Sequence, residues 1–192
     1  MRITNTRIMV TFALAFSLAT TFYSAESFAG SDCHAPAEPT PAMIEGPYFK
    51  PDSPQRRSLW TPNMEGRKII ITGQVLSTNC RPVPNARLDF WQTDGDGRYD
   101  LDGYRLRGHQ YTDEQGRYRL ETVVPGSYGG RTRHIHVKVA PPGGPVLTTQ
   151  LFFPGAQRNT TDRIFDPRLL LEIRETEKGL AGTFDFIMRS AE

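Results

Sequence analysis

The stretch "HIHVKVA", His134 to Ala140, sets two of the chain's four histidines one residue apart. In an extended segment alternate side chains leave opposite faces, so His134 and His136 project together while Ile135 and Val137 face the other way. Two imidazoles on one face can hold a metal. The same pair also describes a surface strand that happens to carry two polar residues, and only the partners elsewhere in the chain decide between these.

Outward from this segment the chain keeps one texture from Lys68 onward. Short β-branched and aromatic runs, "KIIITGQVL", "ARLDFWQT", "GHQYT", "GRYRLETVV", "HIHVKVA" and "VLTTQLFF", are separated by turn residues and read as strands. The joints "TDGDG", "TDEQG" and "APPGG" supply the glycine and aspartate that tight turns require, and no amphipathic helix interrupts the series. The expected class is all-β, an antiparallel β-sandwich. The tail leaves two readings open, since "DPRLLLEIRETEKGLAG" suits a short helix followed by a strand. "TFDFIM" reads as a final strand with Phe184 and Phe186 on one face.

Ahead of the sandwich the organisation changes twice. Arg2 and Arg7 precede the apolar run "IMVTFALAFSLATTF", and small residues stand at Ser27 and Ala29, the pattern of an export signal cleaved after Ala29. The run is short for a bilayer, which needs roughly 20 apolar residues, and it contains threonines, so a retained anchor is the weaker reading. Residues 1–29 are thus expected as signal and residues 30–66 as a proline-rich arm that wraps the domain. Residues 67–192 are expected as the sandwich. The destination is the periplasm or the exterior, with no membrane association after cleavage.

Charge and cysteine content narrow the partners. Lysine and arginine total 23 against 21 acidic residues, scattered without a basic block, so nucleic acid is not an expected partner. Cys33 and Cys80 are the only cysteines. In an exported chain they suit a disulfide whose closure would contribute roughly 4 kcal/mol in the chain-entropy model, with two free thiols as the alternative.

The ordered series "EGPYF", "LDFWQTDGDGRYD", "RGHQYTDEQGRYRLETVVPGSY", "RTRHIH" and "TTQLFFPG" resembles the intradiol ring-cleavage dioxygenases, the family of catechol, hydroxyquinol and protocatechuate dioxygenases. The resemblance implies a non-haem ferric ion, Fe(III), held by two tyrosines and two histidines. By motif these fall on Tyr99 in "DGRYD", Tyr128 in "PGSY", His134 and His136. It further implies that Tyr128 is the donor displaced by a catechol and Tyr99 the one retained. Arg131 then stabilises negative charge on the substrate ring, and Gln150 in "TTQLFF" lies close to the site, bonded to the arginine or to bound oxygen. The implied reaction opens a catechol-type ring between its hydroxyls with O2 to give a cis,cis-muconate, without an organic cofactor. The donor types agree with the metal, because phenolates are hard anionic oxygens that favour a ferric ion, whereas zinc draws on cysteine, histidine or carboxylate.

Arg133 falls on the opposite side of the extended segment and reads as solvated. Trp91 and Tyr118 read as core, and His109 falls where the family shows no ligand. Two departures from the family matter. The amino-terminal helical dimerisation domain of catechol dioxygenases is missing, which leaves homo-oligomerisation open. Only Gly129 and Gly130 separate Tyr128 from Arg131, which should expose the metal and admit bulky phenols. The rival readings are a non-catalytic exported transthyretin-like β-sandwich binding module and a copper or zinc hydrolase, the latter lacking a general base beside the His-x-His.

Overall fold

The alternation in the apolar runs becomes strands within a residue or two of the expected bounds. The computed structural model describes residues 33–189, and the expected signal, Met1 to Ala29, lies outside the described residues. The strands are β1 Lys68–Ser77, β2 Arg87–Trp91, β3 Arg107–Tyr111, β4 Arg117–Val123, β5 His134–Ala140, β6 Leu147–Phe152, β7 Glu172–Thr176, β8 Gly179–Thr183 and β9 Phe186–Met188. A four-stranded sheet runs β3-β2-β5-β6, and a five-stranded sheet runs β4-β1-β8-β7 with β9 also on β1. Between them lies the core. Ile69, Ile71, Val75 and Leu120 of one sheet meet Leu88, Phe90, Ile135, Val137, Val139 and Leu151 of the other. Tyr118 is buried there as expected, its hydroxyl donating to the Phe184 carbonyl at 2.8 Å. Among the described residues no helix is long and apolar enough to cross a membrane.

The stretch left open in the tail forms one short 3-10 turn followed by strands. Asp166 caps a single 3-10 turn at Pro167–Leu169, after which the chain forms the β7–β8 hairpin. β8 and β9 both run parallel to β1, so the sandwich is not wholly antiparallel. Periodicity carries no information on strand direction, which is why this was not visible in the sequence. Between β8 and β9 the backbone presses onto β1: Phe184 N–H donates to the Thr72 carbonyl at 3.1 Å, and Asp185 Oδ1 accepts from Gln74 N–H at 2.7 Å. A Cβ on Gly73 would sit 1.8 Å from the Phe184 carbonyl oxygen, so only glycine fits there.

The proline-rich arm lies along the sandwich. Cys33 and Cys80 are disulfide-bonded, fastening its start to the β1–β2 connection. Proline lacks an N–H, so the arm makes isolated backbone bonds instead of a ladder. Met43 N–H reaches the Thr148 carbonyl at 2.8 Å, Arg56 N–H that of His109 at 2.8 Å, and Leu59 N–H that of Glu121 at 2.7 Å. Between these points the arm crosses the outer face of the four-stranded sheet.

Gly73→Ala is expected to destabilise the protein by roughly 1–3 kcal/mol, the usual range for overpacking. Urea unfolding checks this, and an unchanged midpoint would show that the Phe184 carbonyl moves aside freely.

Candidate functional site

Strand β5 is paired on both sides, which fixes its two faces. Ile135, Val137 and Val139 enter the core, while His134 and His136 occupy the outer face, with exposures of only 4% and 3%. The register sets His136 between Trp91 of β2 and Gln150 of β6, and His134 beside Phe152. Trp91, expected in the core, is buried on this outer face instead, its ring stacked on His136 at 4.8 Å and 6°. His134 Nδ1 lies 2.6 Å from the Thr132 carbonyl oxygen. A carbonyl only accepts, so Nδ1 carries the proton and the Nε2 lone pair is free. That lone pair points at His136 Nε2, 3.1 Å away. Burial, with the charge of Arg131 nearby, brings the His134 pKa down to about 4, and burial together with His134 and Arg131 holds that of His136 well below its usual value. Both imidazoles are therefore neutral near pH 7, the form that binds metals.

The two phenols come from loops. Asp94, in "TDGDG", accepts from the N–H groups of Asp96 and Arg98, and Asp100 accepts from Gly103 and Arg105, so carboxylate turns fold the chain on either side of Tyr99. This loop abuts the one preceding Tyr128 backbone to backbone. Gly126 N–H donates to the Asp94 carbonyl at 2.7 Å, and a Cβ on Gly97 would sit 2.2 Å from the Ser127 oxygen. The approach brings the Tyr99 and Tyr128 rings to 5.3 Å, nearly perpendicular at 86°. Burial raises the Tyr99 pKa strongly, nearby Tyr128 adds to this, and Arg107 and Arg131 offset part of it.

Tyr128 opens a tight turn closed by Arg131 N–H on the Tyr128 carbonyl at 2.7 Å, with Gly129 and Gly130 both at positive φ. Arg131 points inward while Arg133 is exposed; alternation alone would set residues two apart on one face, and the bend at Arg133, ahead of β5, separates them. The Arg131 guanidinium donates through Nε to Asp162 at 2.8 Å and through Nη2 to Gln150 Oε1 at 2.7 Å. Gln150 Nε2 donates to the Ile44 carbonyl at 3.0 Å. Of the two expected partners of Gln150, the structure shows the arginine, which the amide oxygen orients. Tyr128, Arg131 and His136 line one cavity of about 410 Å³, together with Ile44, Pro47 and Ile164. A larger cavity of about 680 Å³ beside Glu38 and Arg189 contains none of these groups. His109 lies apart, its Nδ1 bonded to the Ser53 carbonyl at 2.7 Å.

Sequence reasoning did not find Tyr48 or Asp162. Tyr48 stacks on Tyr99 at 4.3 Å and meets Tyr128 edge-on at 5.3 Å, and Asp162 clamps Arg131 and the Thr132 N–H. The "EGPYF" motif was the available signal for the first; nothing local marks the second.

The residues fit a metal with mixed nitrogen and phenolic oxygen donors. Tyr99 Oη is buried without a protein hydrogen-bond partner, which is costly unless something else engages it. Among the described residues no group of three or more histidine, cysteine, aspartate or glutamate side chains is placed to hold a metal. Tyr128 shares a cavity with His136, and Tyr99 crosses Tyr128 at 5.3 Å.

Residues 44–190 match the profile of the family described as Dioxygenase. The chain is 31% identical over 156 residues to the protocatechuate 3,4-dioxygenase beta chain of Burkholderia cepacia, covering 66% of each protein. It is 28% identical over 156 residues to a catechol 1,2-dioxygenase of Pseudomonas, covering 67% of this chain and 52% of that one. The chain thus spans about half to two thirds of the length of these curated relatives. Among solved structures it is similar to the dioxygenase domain of a dioxygenase and carbohydrate-binding protein fusion from Streptomyces sp. SirexAA-E. That match has 54% identity and a TM-score of 0.78, covering 80% of this chain and 100% of that one. It is also similar to 3-chlorocatechol 1,2-dioxygenase from Rhodococcus opacus, with 27% identity and a TM-score of 0.75, covering 81% and 74%.

Burial alone would raise the Asp162 pKa, but hydrogen bonds from Arg131, Thr132 N–H and Ile164 N–H together hold it below the usual carboxylate range. A depressed folded value contributes stability above the unfolded pKa of about 3.9, lost as pH falls through the folded value. Asp162→Asn should therefore cost roughly 1–3 kcal/mol at neutral pH. The gap to wild type should shrink at about pH 3, as checked by chemical unfolding at both pH values.

Proposed function

Because the chain belongs to the intradiol ring-cleavage dioxygenase family, we propose that it is a non-haem Fe(III) enzyme. It opens a catechol-type ring between the two hydroxyls with O2 to give a cis,cis-muconate-type product. The observation that carries this reading is the donor set: two neutral imidazoles whose Nε2 atoms face each other at 3.1 Å, beside two crossed phenols, one with an orphaned hydroxyl. Tyr99, Tyr128, His134 and His136 would hold the ion, which supplies a Lewis-acidic ferric centre for the substrate's oxygens when bound.

The protein's own groups do the rest. Arg131, held by Asp162 and Gln150, keeps a fixed positive charge at the cavity wall, where it stabilises negative charge developing on the ring. Tyr128, on the cavity wall beside the Gly129–Gly130 turn, is the phenol placed to take a substrate proton at Oη. Ile44, Pro47 and Ile164 form apolar rim that excludes water from the ring. A Cβ added to Gly129 or Gly130 would meet nothing within 4 Å, so the mouth accommodates a catechol bearing a bulky substituent. Export is part of the proposal, supported by the pattern of Met1 to Ala29 and by the Cys33–Cys80 bond, which suits an oxidising compartment.

Purified protein is expected to bind about one iron per chain and to show a visible phenolate-to-iron charge-transfer band. Colourless iron-loaded protein would overturn the reading and favour a non-catalytic binding module. His134→Ala or His136→Ala should lose iron while the sandwich, whose core does not depend on metal, stays folded by circular dichroism. Arg131→Leu should keep iron, colour and anaerobic catechol binding yet lower oxygen uptake by roughly 10² to 10³, the range for one preorganised charge-stabilising donor. Arg133→Leu, on the exposed face, should be near-silent; the reverse pattern would sink the assignment of Arg131.

A further inference from the structure

Neither phenol of the candidate centre stands on a strand. Tyr99 belongs to the β2–β3 connection and Tyr128 to the tight turn before β5, so the sandwich alone does not orient their rings. A ring on a loop keeps its side-chain rotations unless something packs against it. We propose that Tyr48, delivered by the arm, is a positioning residue that fixes the Tyr99 and Tyr128 rings so that their hydroxyls are set before a metal arrives. This rests on the reading of Tyr99 and Tyr128 as metal donors.

Tyr48 touches both phenols in different ways. It lies parallel to Tyr99 at 4.3 Å and 17°, a stacking contact that defines the plane of that ring. It meets Tyr128 edge-on at 5.3 Å and 79°, and the two side chains are hydrogen-bonded. The crossed arrangement of the two donors follows from these contacts, since Tyr99 and Tyr128 stand at 86° to each other.

Tyr48 can act as a template because its own position is held from several sides. Its carbonyl accepts from Arg107 Nη2 at 3.0 Å, and the Arg107 guanidinium carbon lies 5.8 Å from the centre of the Tyr99 ring. Phe49 meets Trp91 edge-on at 5.0 Å, and Trp91 is the ring stacked on His136. Lys50 Nζ donates to the carbonyls of Asp102 and Gly103, both at 3.0 Å, in the connection that carries Tyr99. Just before it, Gly46 has φ +73°, and a Cβ there would lie 3.4 Å from His136 Cε1. Five consecutive arm residues, 46–50, thus include contacts to three of the four proposed donors.

The test uses the full chain loaded with ferric iron, in Tyr48→Phe and Tyr48→Leu forms. Tyr48→Phe keeps the ring and removes only the hydroxyl. It should hold about one iron per chain, shift the charge-transfer band, and lower kcat about three- to tenfold with KM within about twofold, the effect of one net hydrogen bond. Tyr48→Leu removes the stack as well, and a chelator should strip its iron roughly tenfold faster than from wild type, as for a lost outer partner of a ligand. A structural role alone would move the melting temperature but not the band of the folded, iron-loaded protein, so the Tyr48→Phe spectrum decides. A coloured wild type with an unchanged Tyr48→Phe spectrum would overturn the role of Tyr48 and leave the ligand reading standing. A colourless wild type would overturn both.

Discussion

The outer face of the β3-β2-β5-β6 sheet carries Asp89, Trp91, Arg107, His134, His136 and Gln150, all buried. A polar face can leave water only if its groups find partners, because each unmet donor or acceptor costs roughly 1–3 kcal/mol. The arm supplies partners to three of the six. Ser53 donates to Asp89 at 2.7 Å, the Tyr48 carbonyl accepts from Arg107 at 3.0 Å, and the Ile44 carbonyl accepts from Gln150 at 3.0 Å. Glu45 pairs with Lys138, whose ammonium also lies 3.9 Å from the centre of the Phe49 ring. A segment that in composition looks like a connector is therefore the second wall of the site, and the chemistry of the sheet face requires it.

How much of this was legible follows from what a two-residue period encodes. The inward face of β5 could be read directly, because it depends only on alternation; the contrast between Arg131 inside and Arg133 outside does not, since residues two apart share a face in an extended segment, and it arises at the bend before β5. The same rule applied to "LDFW" would have placed Trp91 with Asp89, opposite Leu88 and Phe90, and so on the site face; its bulk suggested the core instead. Strand direction was not legible, so the parallel β8 and β9 appeared only in the fold. Tyr48 and Asp162 were hidden for a different reason. Tyr48 lies 51 residues before Tyr99, and Asp162 lies 31 residues after Arg131. No local pattern specifies which residue of a proline-rich arm, or of the β6–β7 connection, comes to rest against a given side chain. Tyr99 and Tyr128 were found only through the family resemblance, since buried tyrosines with a wet or bonded hydroxyl are common.

The fold divides the proposed donors into a fixed pair and an unequal pair. His134 and His136 stand on a strand bonded on both sides, with Trp91 stacked on one ring and the Thr132 carbonyl fixing the tautomer of the other. Such a pair cannot separate without breaking the sheet. The two tyrosines differ from each other in their surroundings. The Tyr99 loop is braced by the Asp94 and Asp100 turns and pressed against Ser127 through Gly97, where even a methyl group would not fit. Tyr128 instead precedes Gly129 and Gly130, at which an added Cβ would meet nothing within 4 Å. One phenol thus stands on a braced loop, and the other sits beside open space and leans edge-on against Tyr48 of the arm at 5.3 Å. In the proposed reaction one tyrosine is retained while the other gives way to the incoming catechol and takes its proton. The asymmetry in packing supports giving those parts to Tyr99 and Tyr128 respectively, a ground separate from the motif match that first suggested them.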